Sequence, residues 1–197
     1  MSTKETMLDL GPAAAEVKRV ATGVRDEQLG DPTPSDISVG ALINHLLGLA
    51  VAFRDGAQKR PDAAPDGPPP PVDEPPAHWR GRLPDALDAL VAAWREGSAW
   101  EGMATAGGVT MPAAVMGQVV LDELVVHGWD LARGTGQDFA CDPVSAEAVL
   151  AFTAASAEPG AQREGLFGPV VEVADDASPL DRALGYAGRD SGWLPPR

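Results

Sequence analysis

Residues 111–134 read MPAAVMGQVVLDELVVHGWDLARG, and this stretch predicts the longest helix of the chain. Proline favours the first turn of a helix, so Pro112 marks its beginning, and Gly134 and Gly136 mark its end. Apolar residues recur at intervals of three and four, which places them on one face that packs into a core. That inward face consists of Met116, Val119, Val120, Leu124 and Leu131.

The same periodicity predicts further helices on either side of this one. Three amphipathic helices are expected from about Thr3 to Leu29, from the Ser38 cap to near Arg60, and from Pro84 to Gly97. A weaker fifth helix runs from Pro143 to about Ala157, after a cap at Asp142. No segment alternates convincingly as a strand, and glycines interrupt every pattern between Trp100 and Met111.

These elements predict an all-α fold, a four-helix bundle followed by a short C-terminal helix and an irregular tail at 159–197. Many of the 19 prolines lie in the stretch at 60–80, which predicts an extended crossover between the second and third helices. At roughly 3 Å per residue, Pro61 to Pro76 can span about 50 Å, more than the length of a twenty-residue helix. The second and third helices can therefore run parallel, and we expect one domain over residues 1–197.

Charge and cysteine content exclude several classes of function. The chain has 29 acidic and 15 basic residues, a formal net charge of -14, so nucleic acids and anionic membrane surfaces are not expected partners. No apolar run reaches the length needed to span a membrane. The single cysteine, Cys141, cannot form an internal disulfide, which fits a reducing compartment. We expect a cytoplasmic protein, as a monomer or a homodimer.

Polar side chains at inward positions of two helices are the candidates for chemistry. His45 lies on the apolar stripe of the second helix, and Glu123 and His127, four residues apart, share one face of the fourth. A buried carboxylate without a partner is costly, and a divalent cation would remove that cost. Two imidazoles and one carboxylate suit catalytic zinc and also match non-haem iron, with positions left for water or substrate. Asp130 could accept the second ring N–H of a ligating histidine.

A simpler interpretation is also open, because Glu and His four residues apart are common on helices. A purely structural bundle would hold the same three residues in a neutral buried network without metal, and Asp130 would then be a solvated charge. The remaining candidates are weaker. His78 lies among prolines and is expected in a loop, and Cys141 has no basic neighbour in sequence to lower its pKa. The prolines at 68–71 could bind an aromatic groove, but a crossover accounts for them.

Two motifs resemble a known family. INHL at residues 43–46, together with DELVVHGWDLAR at 122–133, is similar to the mycothiol-dependent maleylpyruvate isomerase N-terminal-domain family of actinobacteria, in the DinB-like superfamily. The similarity extends to PTP at 32–34, MP at 111–112, FGP at 167–169 and LDR at 180–182. The chain resembles the single-domain branch of that family.

The resemblance implies a four-helix bundle with a long crossover and one divalent metal, usually zinc, with Ni²⁺ or Fe²⁺ as alternatives. His45, Glu123 and His127 match the family's metal ligands. In the family, the thiolate of mycothiol or a related thiol takes the open metal position and adds to an electrophilic substrate. The resemblance therefore implies a metal-dependent thiol transferase or isomerase, with a small-molecule substrate and a low-molecular-weight thiol as its partners.

Two departures from the family limit what is carried over. Many relatives have a Cys-Pro-Gly-Trp run before the second helix, where this chain has SDIS at 35–38, so a different substrate is expected. The isomerase also has a second, catalytically important domain, which we do not expect in 197 residues. Thiol transfer or another metal-assisted step is therefore expected rather than maleylpyruvate isomerisation itself. The alternative is a non-catalytic bundle that binds a metal or a small ligand.

Overall fold

A computed structural model describes residues 7–61, 72–158 and 167–196. Within these ranges the chain forms six α-helices and one antiparallel pair of strands. In chain order they are α1 Gly11–Thr22, α2 Val39–Ala57, α3 Trp79–Trp94, β1 Met103–Ala106, β2 Val109–Pro112, α4 Ala113–Gly134, α5 Pro143–Ser156 and α6 Pro179–Tyr186. Over the same ranges, no helix is both long and apolar enough to cross a bilayer.

The predicted all-α, DinB-like helical fold is confirmed. Helix α1 packs against α3 and α4, and α2 packs against the same two helices, so the four enclose one core. Each fully buried leucine in that core contributes about 1.5–3 kcal/mol relative to an exposed one. The largest fully buried side chains of the core include Leu42, Leu46, Leu83, Leu87, Leu90, Met116 and Leu131. Helix α5 covers α4 from outside, and α6 lies against α5.

Helices α2 and α3 run in the same direction, as the length of the connector permits. Near their C-terminal ends, the Trp94 indole N–H donates to the carbonyl of Phe53 over 3.1 Å. At the opposite end, the segment leading into α3 lies on the start of α2, where a Cβ added to Gly40 would meet the Asp73 carbonyl oxygen at 2.1 Å. The described residues on the two sides of the connector, 58–61 and 72–78, therefore lie at opposite ends of α2. Residues 62–71 of the predicted crossover lie outside the described residues.

Helix α1 is shorter than the predicted Thr3 to Leu29. It begins at Gly11 with Pro12 in its first turn, where the missing N–H has no helical partner to lose, and it ends at Thr22. Gly23 follows and packs against the Gln137 side chain, whose amide oxygen would lie 2.3 Å from a Cβ at that position. A short 3₁₀ turn, Asp26–Gln28, then leads towards α2. Residues 3–6 lie outside the described part of the chain.

Helix α3 begins at Trp79, five residues before the predicted start at Pro84. The proline lies inside the helix and removes one backbone hydrogen bond near its beginning. Trp79 and Leu83 are buried, and their contacts with the core favour helix on both sides of the proline. Packing therefore outweighs the local signal from Pro84.

The prediction of no strand was wrong for the segment before α4. Strands β1 and β2 form a hairpin that pairs Met103 with Pro112 and Ala106 with Val109. Gly107 and Gly108 form its tip with φ of 57° and 81°, as a two-residue turn with positive φ at both positions requires. Gly107 and Gly108, which interrupt the helical periodicity in the sequence, therefore form the turn of this hairpin.

The C-terminal region is more ordered than the predicted irregular tail. Helix α5 and its Asp142 cap are confirmed, with the carboxylate accepting the Ser145 N–H over 3.0 Å. Helix α6 lies within the stretch predicted to be irregular, and it is capped by Ser178. Its short apolar face, too brief to show a period in sequence, buries Ala183 and Leu184 against the rest of the fold. Residues 159–166 of that tail are not among those described.

Candidate metal centre

Helix α2 places His45 at the edge of the core. The Ser38 hydroxyl accepts the Ala41 N–H over 3.1 Å and fixes the start of the helix. Leu42 and Leu46 are fully buried on either side of His45, whose own side chain is 35 % exposed. His45 therefore lies on the face of α2 that packs into the core, as predicted, and its imidazole is partly exposed to solvent.

Helix α4 brings Glu123 and His127 to the same point. Oε2 of Glu123 lies 3.0 Å from Nε2 of His127 and 3.8 Å from Nε2 of His45. The two imidazole rings meet edge to face at a centroid distance of 4.9 Å. One potential ligand atom from each of the three residues falls within 4.8 Å of the others. The structure thus brings together the three residues that the sequence predicts as a ligand set.

Asp130 fixes the orientation of His127. Its Oδ2 lies 3.0 Å from Nδ1 of His127, and its side chain is fully buried. A carboxylate at Nδ1 favours the tautomer with the proton on that nitrogen, so the lone pair of Nε2 faces Glu123. The structure thus places Asp130 against the second ring nitrogen of His127, and its role behind a metal ligand stays a prediction.

The donor atoms fit a divalent cation. Oε2 of Glu123 is buried and accepts no hydrogen bond from the described residues, although Nε2 of His127 is 3.0 Å away. Two electron pairs at that separation repel unless a proton or a cation lies between them. Two imidazoles and a carboxylate, with a second carboxylate behind one imidazole, are a common environment for zinc.

In the absence of a metal, a proton between Glu123 and His127 removes the repulsion of the two electron pairs. Burial alone would lower the pKa of His127, but Asp130 and Glu123 raise it to about 10. Burial opposes ionisation of Glu123, yet the imidazoles of His127 and His45 hold its pKa well below the usual range. A metal ion at the same point would displace the His127 proton, so its binding is coupled to proton release.

Two titratable residues beside the centre, Asp122 and Arg189, were not predicted from the sequence. Arg189, from the segment after α6, donates from Nη2 to Oδ2 of Asp130 over 2.9 Å and from Nε to Oδ1 over 3.1 Å. Asp122 is buried next to Glu123, and burial together with the Glu123 charge raises its pKa to about 8. Neither was predictable, because Asp122 lies off the inward stripe and Arg189 is distant in sequence.

The two candidates discounted from sequence lie apart from the triad. His78 precedes α3 in a left-handed conformation, with φ of 60°, and lines a surface pocket together with Asp73. Burial raises the pKa of the Cys141 thiol to about 12, with help from the negative charges of Asp142 and Glu16. A thiol with so high a pKa is a poor nucleophile at neutral pH.

Comparison with known proteins identifies the family. The family model of the mycothiol maleylpyruvate isomerase N-terminal domain matches residues 10–132. The chain belongs to this family. His45, Glu123, His127 and Asp130 all lie within the part that matches the isomerase N-terminal domain, and Arg189 lies beyond it.

Among curated proteins, two relatives from Mycobacterium tuberculosis are similar to this chain. They are uncharacterized protein MT0763 of strain CDC 1551 / Oshkosh and uncharacterized protein Rv0738 of strain ATCC 25618 / H37Rv. Each is 33 % identical over 176 residues, covering 84 % of this chain and 87 % of the relative. No solved structure matches the chain significantly.

Proposed function

We propose that this chain is a divalent-metal-dependent enzyme that acts on a small molecule by thiol transfer or isomerisation, with a mycothiol-type thiol as co-substrate. The observation that carries the proposal is the convergence of His45, Glu123 and His127, with Asp130 bonded behind His127. We propose zinc as the metal, since this ligand set leaves at least one position open for a sulfur atom. The family match to a mycothiol-related domain supports the choice of thiol.

The protein residues have separable roles in this proposal. His45, Glu123 and His127 would hold the ion, and Asp130 would keep the His127 proton on Nδ1 so that Nε2 stays available. When bound, the metal supplies positive charge that lowers the pKa of a thiol and orients its sulfur towards an electrophile. Two neutral imidazoles and one carboxylate leave a divalent site with a net charge of +1, which favours an anionic sulfur.

Burial around the triad sets the direction of access. Exposed fractions fall from 35 % at the His45 side chain to 26 % at Glu123, 16 % at His127 and zero at Asp130. A ligand from solvent would therefore arrive on the His45 side. Beside Glu123, a narrow recess lined by Leu46, Leu49 and Phe53 provides an apolar wall. Such a wall strengthens charge interactions at the centre by excluding water.

Calorimetry with zinc and mycothiol tests the proposal. Mycothiol titrated into zinc-loaded protein should bind and release a proton, so the apparent enthalpy should differ between two buffers of different ionisation enthalpy. Binding should tighten as the pH rises through the range in which the thiol ionises. Zinc-treated Glu123→Gln is the matched control and should show neither effect. Zinc-loaded wild type that neither binds mycothiol nor releases a proton would exclude the thiol mechanism.

Turnover separates catalysis from binding alone. Zinc-loaded protein incubated with mycothiol and an electrophilic substrate should form the thiol adduct faster than the Glu123→Gln control. Thiol binding without such a rate increase would favour the alternative of a non-catalytic bundle. We propose the cytoplasm as the location, because both mycothiol chemistry and a lone cysteine fit a reducing compartment.

A further inference from the structure

The carboxylate of Asp130 has a second partner that the family match does not include. Arg189 donates to it from Nε and Nη2, and Nη1 of the same guanidinium donates to the Ala187 carbonyl over 3.1 Å. Asp130 is fully buried and the Arg189 side chain is 13 % exposed. A buried carboxylate with a two-point guanidinium contact has a fixed position.

The turn after α6 determines where Arg189 lies. The Arg189 N–H donates to the Leu184 carbonyl over 2.8 Å, and the Gly188 N–H donates to the Gly185 carbonyl over 3.0 Å, which together form a Schellman motif. Gly188 has φ of 81°, and a Cβ there would lie 2.9 Å from the backbone of Gly168. A glycine is therefore required by both conformation and space. It directs the following side chain towards α4.

A second contact ties the same segment to α4 without involving the metal centre. Nη2 of Arg133 donates to the Trp193 carbonyl over 2.7 Å. Two arginines thus join the C-terminal segment to α4, and only Arg189 contacts Asp130, so replacing Arg133 weakens docking without touching Asp130.

We propose that Arg189 is a positioning residue of the metal centre, acting on His127 through Asp130. The proposal rests on the proposed metal site and adds the C-terminal segment to it. Arg189 has two effects here. It holds Asp130 where its oxygen meets the Nδ1 proton of His127, and it cancels the Asp130 charge, so the centre keeps the net +1 that an anionic ligand requires.

The charge effect gives a readout that a merely structural role would not change. Azide is a suitable anionic probe, titrated into protein saturated with Co²⁺ and followed by the visible absorption of the ion. In Arg189→Met the uncompensated Asp130 charge should weaken azide binding roughly tenfold or more. Arg189→Lys keeps the charge and should recover most of that loss. The double variant Arg189→Met/Asp130→Asn removes both charges and should also recover azide affinity.

Arg133→Met is the matched control, because it releases the Trp193 carbonyl and leaves Asp130 paired. It should bind azide as the wild type does. An equal loss of azide affinity in Arg133→Met and Arg189→Met would overturn the proposal, since undocking of the segment would then explain both. Unchanged azide binding in Arg189→Met would overturn it as well.

A measurement on metal-free protein distinguishes this proposal from the proposed function. The Nδ1 proton of His127 should give a downfield NMR signal in the wild type and in Arg133→Met, and the signal should be lost or shifted in Arg189→Met. If the wild type binds no metal, the proposed function fails, and this signal still decides whether Arg189 positions His127. An identical signal in all three proteins would contradict the positioning role.

Discussion

Replacing Asp130 by asparagine removes one charge and one acceptor from the centre while keeping the shape of the side chain. Oδ2 of Asp130 lies within hydrogen-bond distance of Nδ1 of His127 and accepts from Nη2 and Nε of Arg189, and Oδ1 accepts from Nε of Arg189. An asparagine oxygen in the place of Oδ2 can keep the three contacts of that atom. The NH₂ group then faces the Nε–H of Arg189 in place of Oδ1, so the shorter of the two contacts of Nε is lost.

The size of the effect follows from these contacts. A hydrogen bond to a charged group contributes about 1.5–3 kcal/mol, and removing one partner of a buried ion pair costs about 3–5 kcal/mol. We therefore expect Asp130→Asn to lower the free energy of unfolding by about 3 kcal/mol, or the melting temperature by roughly 6–12 °C. Because His127 loses its charged partner, metal affinity should fall about ten- to a hundredfold.

Urea unfolding and competition with a chromophoric chelator measure the two quantities. Asp88→Asn is the matched control, since it removes the same charge from an exposed pair with Lys18, and it should change stability by less than about 1 kcal/mol. If Asp130→Asn lost no more stability than this control, or bound metal as tightly as the wild type, our account of the centre would be wrong.

Three further predictions use other parts of the structure. Metal-free protein should lose stability between pH 6.5 and about 10, because folding raises the pKa of His127 over that range and the stabilisation by protonated His127 disappears when the imidazole loses its proton. Urea titrations in EDTA would show this loss, and a free energy of unfolding that does not change with pH would contradict it. Glu123→Gln should reduce zinc affinity by more than about a hundredfold in chelator competition, as it removes a charged ligand; wild-type affinity would exclude Glu123 as a ligand. Gly117→Ala should lower the free energy of unfolding in urea by about 1–3 kcal/mol, since its Cβ would lie 2.3 Å from the Trp100 ring. Gly48→Ala on the exposed face of α2 should stabilise the fold slightly. If Gly117→Ala were the more stable of the two variants, the packing described here would be wrong.

Periodicity was sufficient for the helices that build the centre. The stripe at Met116, Val120 and Leu124 fixes which face of α4 is inward, and Glu123 and His127 follow from it. The stripe of α2 does the same for His45. These predictions held because long amphipathic helices satisfy their own backbone and need only a core to choose a face.

Features that depend on tertiary contacts were not predictable in the same way. The start of α3 at Trp79 reflects burial that offsets Pro84, and the hairpin at Gly107 and Gly108 consists of strands too short to show alternation. The partnership of Arg189 with Asp130 joins residues 59 positions apart. No local pattern encodes such a pairing, because it depends on how α6 folds back onto the bundle.

Elemental analysis of protein purified without added metal shows whether the three residues hold an ion. We expect about one equivalent of a divalent metal per chain in the wild type, with zinc as the element. His127→Ala should lose that metal, because one of three ligands is removed while Asp130 and Arg189 remain paired. A wild type without stoichiometric metal, or a His127→Ala variant that retains it as tightly, would contradict the claim that His45, Glu123 and His127 form a metal centre.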